Sequence, residues 1–93
     1  MRTDEGLTGI QLCEYLSDLR STLEKRGFGP LAERVAHVGR FASGSSSEFF
    51  GEAVVLLRDS KKSFFDALTE DEFRLMNMVL ERIEIAFRRV GGN

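Results

Sequence analysis

The rhythm of apolar residues between a few Gly, Pro and Ser breaks limits this chain more than any other feature. Gly27-Phe28-Gly29-Pro30 and Ser43-Gly44-Ser45-Ser46 interrupt the sequence, and Gly91-Gly92 closes it. Between those breaks apolar residues recur three and four apart, with little sustained two-residue alternation. That period belongs to helices.

Leu12, Leu16, Leu19 and Leu23 form one narrow stripe, which predicts a first helix over about 8–26. Thr8 suits its start, and Gly27 suits the left-handed turn past its end. A second helix over about 30–42 opens on Pro30, whose missing amide hydrogen matters little there. It turns Leu31, Ala32, Val35, Ala36, Val38 and Gly39 inward, and Glu33, Arg34, His37 and Arg40 outward.

The third helix, over about 46–62, begins where Ser45 and Glu48 have capping-box spacing. Phe49, Phe50, Ala53, Val54, Leu56 and Leu57 give it a broad buried face. Phe64 keeps the same phase, so the helix either runs on to 67 or breaks near residue 62, in the polar stretch 59–63. Thr69 to Glu72 is a second capping box and opens a fourth helix over about 69–90. Phe73, Met76, Leu80, Ile83, Phe87 and Val90 follow along it, and Glu70–Arg74 and Glu84–Arg88 are spaced as ion pairs.

The expected fold is therefore all-α: a small, irregular, antiparallel four-helix bundle. The 93 residues make a single domain, with 1–7 and 91–93 as tails. A composition of 42% hydrophobic and 30% charged residues supports a packed core. Thirteen basic and fifteen acidic residues leave a net charge of −2, which argues against nucleic acid or an anionic membrane as partner. One cysteine and no apolar run of signal or membrane-span length point to the cytoplasm.

Chemistry-bearing residues are sparse. Cys13 has no histidine near it in sequence, and His37 is the only histidine, paired at best with Glu33 as a surface ion pair. Gly44 to Ser47 lacks the lysine of a phosphate loop and is followed by Glu48, so a helix cap explains it. Glu70-Asp71-Glu72 point in different directions around a helix and suit its dipole. No cofactor, metal or catalytic constellation is expected. A DNA-reading helix needs Arg, Lys, Asn or Gln at its start, whereas the third helix offers Glu48, Phe49, Phe50, Gly51 and Glu52.

One feature of the fourth helix stands apart. Its main apolar arc, with Leu75, Val79 and Ala86 at the margin, covers about 160° of the helical wheel. Met78 and Ile85 fall outside that arc, seven residues apart, with Arg82 and Arg89 beside them. Val55 is a similar outlier on the third helix. Met and Arg are enriched at protein interfaces. The expected function is thus a non-enzymatic helical interaction module or small regulator. Its candidate surface is Leu75, Met78, Arg82, Ile85, Arg89 and Val55, and its partner is another protein or a second copy. The alternatives are a dimeric nucleic-acid-binding regulator, and a small-ligand binder with a pocket lined by Phe49, Phe50, Phe64 and Phe65.

Overall fold

The computed structural model describes residues 7–89 and leaves out 1–6 and 90–93, so Val90 and the closing glycines lie outside the described residues. Five α-helices and one short 3-10 turn follow in order, with no strand among the described residues. They are α1 (Gly9–Lys25), α2 (Gly29–Gly39), a 3-10 turn (Arg40–Ser43), α3 (Ser46–Asp59), α4 (Lys61–Ala67) and α5 (Glu70–Arg89). The chain is an all-α bundle, as the apolar period predicts. It has five helices because the third breaks, and the second ends three residues early in the 3-10 turn.

The caps explain the boundaries. Thr8 accepts the Gln11 amide at 3.1 Å, and the Gln11 side chain accepts the Thr8 amide at 3.0 Å, a reciprocal box at the start of α1. At the other end Gly27 takes φ +85°, a conformation glycine adopts without steric penalty. The Phe28 amide then donates to the Leu23 carbonyl at 2.9 Å, and the Gly27 amide to that of Glu24 at 3.2 Å. This is the Schellman arrangement, and it turns the chain directly into α2. Ser45 caps α3 through the Glu48 amide. Thr69 and Glu72 cap α5 in both directions, at 2.9 and 3.2 Å.

The break between α3 and α4 falls at Ser60. Its amide still reaches the Leu56 carbonyl at 3.1 Å, and its own carbonyl accepts the Phe64 amide at 3.0 Å. One residue therefore ends one helix and begins the next. Ser60 is buried, and its hydroxyl has no hydrogen-bond partner among the described residues.

All five helices feed one core. Leu12, Leu16, Leu19 and Leu23 come from α1, and Leu31, Ala32, Val35 and Val38 from α2. Phe49, Phe50, Ala53, Leu56 and Leu57 come from α3, Phe64 and Ala67 from α4 with Leu68 just beyond it, and Met76, Val79, Leu80, Ile83 and Ala86 from α5. The helices α1 and α2 pack as a hairpin. On the other side α5 runs antiparallel to α3: Gly51 faces Phe87, and Arg58 is paired with Glu84. A side chain at Gly51 would approach the Phe87 ring to 3.3 Å, so its absence lets the two helices close up.

Candidate protein-interaction surface

The helix α5 carries two parallel apolar seams. The inner one, Phe73, Met76, Leu80, Ile83 and Phe87, packs toward the core, with Met76 and Ile83 fully buried and the two rings half-buried. Shifted by two residues, the outer seam reads Leu75, Met78, Arg82, Ile85 and Arg89 and keeps the same three–four spacing. Leu75 and Met78 are 49% and 51% exposed, large fractions for such side chains in a small bundle. Ile85 and Arg82 are half-buried on the same line. Arg89 continues the backbone of α5, but its side chain lies outside the described residues.

Val55 does not join this seam. It is 53% exposed. Together with Glu33, Arg34, His37, Val38, Glu52 and Leu56 it lines a groove of about 280 Å³ between α2 and α3. Its neighbour Val54, about 100° around the helix, faces α5 beside Arg58, Glu84 and Phe87.

Leu75 forms the lip of a second groove, about 210 Å³ between α1 and α5, lined also by Tyr15, Asp18, Leu19, Thr22, Leu68 and Glu72. Sequence reasoning missed this groove and Tyr15. The only available signal was the position of Tyr15 on the flank of the leucine stripe, three residues after Leu12 and four before Leu19. Burial, with the Glu72 carboxylate adding to it, pushes the Tyr15 phenol up to about 12.

The groove is closed at one end by a contact between residues far apart in sequence. Arg26 donates to both Glu72 carboxylate oxygens, at 2.7 and 2.9 Å, and to the Ala67 carbonyl at 3.1 Å. The Arg26 guanidinium, and then the Thr69 amide, hold the Glu72 carboxyl down at about 2, against an ordinary value of 4.5. A depressed carboxylate stabilises the fold above its unfolded value and loses that contribution as pH falls through its folded one. The window here runs from 4.5 down to about 2. Both side chains are more than a third exposed, so solvent screens the pair and its contribution is small. Glu72→Gln should therefore be less stable than the parent at neutral pH, with the gap in urea midpoint narrowing toward about pH 3. A gap that stays constant over that range would refute the assignment.

The remaining chemistry-bearing residues do not converge. Cys13 is exposed, in a groove between α1 and α2 with Leu16, Ser17, Arg20, Val35, Ala36 and Gly39. His37 meets Arg40 at 3.4 Å and the edge of Phe41, whereas its expected pairing with Glu33 is not formed. Glu70 and Arg74 pair at 3.1 Å as their spacing predicts. Glu84 takes Arg58 from α3, and the Arg88 side chain lies outside the described residues. Among the described residues, no group of three or more His, Cys, Asp or Glu side chains is arranged to hold a metal ion.

The four phenylalanines considered as a pocket lining divide differently. Phe49, Phe50 and Phe64 are buried, and Phe65 is 64% exposed with its ring edge-on to Phe73 at 5.2 Å. They do not line one pocket. Among the described residues no helix is long and apolar enough to cross a membrane. Compared with family models, with curated proteins and with solved structures, the chain matches none.

Proposed function

We propose that this protein is a non-enzymatic helical interaction module that offers the outer seam of α5 to another protein chain. The observation that carries this reading is the half-exposed pair Leu75 and Met78, in line with Ile85, on a helix whose inner seam is already satisfied by the core. Apolar side chains scattered singly on a surface mean little, but a stripe repeated at helical spacing presents a face that a second helix can cover. Met is flexible enough to fit partners of different shape. The reading includes a cytoplasmic setting, supported by a lone, unbridged and exposed Cys13.

The test uses the full chain as bait in native lysate treated with nuclease. Proteins retained by the parent should be lost from Met78→Glu and from Met78→Glu/Ile85→Glu, with helix content unchanged by circular dichroism. The single variant guards against any loss of stability from half-buried Ile85. If both variants retain the same proteins as the parent, the outer seam is not the surface. Retention that disappears with nuclease would instead favour a nucleic-acid-binding regulator, whose affinity would fall steeply with salt.

A further inference from the structure

We propose that the partner of the outer seam is a second copy of this chain, its α5 lying antiparallel to the first. The inference rests on the reading of that seam as an interaction surface and adds the identity of the occupant. It follows from the order of charges along α5.

Extended one step toward the start of the helix, the seam reads Asp71, Leu75, Met78, Arg82 and Ile85, with Arg74 and Glu81 along one flank. Three–four spacing over this length is the pattern by which two helices stay in contact along a common line. A parallel pair would stack Arg82 on its own copy. An antiparallel pair whose two-fold axis crosses α5 midway between Leu75 and Met78 avoids this. Leu75 then meets Met78 of the second copy, twice over, at the centre.

In that register Arg74 falls beside Glu81 of the second copy, and Asp71 falls opposite Arg82 of the second copy. Each pairing occurs twice by symmetry. Sliding one helix by seven residues brings Glu81 against its own copy, so charge selects the first register over the second. Glu81 is exposed, and among the described residues its carboxylate has no hydrogen bond or ion pair. Among the described residues Arg74 is engaged by Glu70 and Asp71 alone, on the open surface, in contacts that are individually weak and readily exchanged.

The centre also fits by shape. Met78 of the second copy arrives at Leu75, the lip of the apolar groove lined by Tyr15, Leu19 and Leu68. An unbranched, flexible thioether fills an irregular gap of that kind. One pair of helices covers less than the ~800 Å² per partner of a tight complex, so the association is weak and concentration-dependent.

Sedimentation equilibrium on the full chain from about 10 µM to about 1 mM spans the range in which such an interface is half-occupied. The average mass should rise from one chain toward two. Arg74→Glu and Glu81→Arg alone should each weaken association about tenfold, since each turns two attractions into two repulsions. The double variant Arg74→Glu/Glu81→Arg should recover most of it. A parent that stays at one chain throughout overturns the proposal, as does a double variant no better than either single one. Loss of the dimer proposal alone would show as a monomeric parent that still retains proteins through Met78. Loss of the underlying reading would show as retention or association indifferent to Met78→Glu.

Discussion

Met76→Glu should abolish cooperative unfolding, whereas Met78→Glu, two residues along the same helix, should unfold at nearly the parent's urea midpoint. Met76 has no exposed surface and sits in the inner seam among apolar side chains. A carboxylate there either ionises without a partner or stays protonated with unsatisfied oxygens, and either costs several kcal/mol. The thioether's packing is lost as well. A domain of this size has about 5–15 kcal/mol of total stability, so the sum consumes most of it. Met78 is half exposed, and surface substitutions of that kind shift stability by about 0.5 kcal/mol or less. Circular dichroism in urea measures both. If both variants unfold alike, α5 does not have one satisfied and one open seam.

The second large effect belongs to the adjacent phenylalanines of α4. Phe64→Ala should cost about 3–5 kcal/mol, the usual range for emptying a buried aromatic site. Phe64 is completely buried, and α4 is only seven residues long. A helix that short does not hold itself together in water, so its order derives from the ring that anchors it. Amide exchange along 61–67 should therefore accelerate beyond the global change. Phe65→Ala is the matched control. That ring is mostly in solvent and keeps one edge contact with Phe73, so its removal should cost no more than about 1 kcal/mol. Equal losses from the two substitutions would show that α4 is rotated from the orientation described.

Where local signals agreed, the sequence made the fold legible. α1 and α5 each combine a three–four apolar stripe with a reciprocal threonine cap, at Thr8 and Thr69, and both ends of α1 and the start of α5 lie within a residue of their expected places. The third helix was ambiguous because two signals conflicted. Phe64 keeps the apolar phase across residues 59–63, while their polarity favours a break. The structure satisfies both, with a turn at Ser60 that preserves the hydrogen bonds on either side and still buries Phe64. Within α4, Phe64 and Phe65 lie about 100° apart, so one ring is buried and the other faces solvent.

The candidate surface was legible in part. Leu75, Met78, Arg82 and Ile85 share a line on α5 as their spacing predicts. Val55 was grouped with them because both are apolar outliers. Only the order in which helices neighbour one another shows that it faces α2. The same limit hid Arg26 and Glu72, whose hydrogen bonds span 46 residues, and the contact of Glu84 with Arg58 on α3. Spacing along one helix says which residues share a face. It does not say which other helix meets that face.

The groove between α1 and α5 has an optical consequence. The chain has no tryptophan and a single tyrosine, and that tyrosine lines this groove beside Leu75 and Glu72. All tyrosine emission and tyrosine absorption from the protein thus originates at one point, at the edge of the outer seam. The molecule carries its own reporter there, needing no label, and the reporter's signal follows whatever enters or leaves the space against α5.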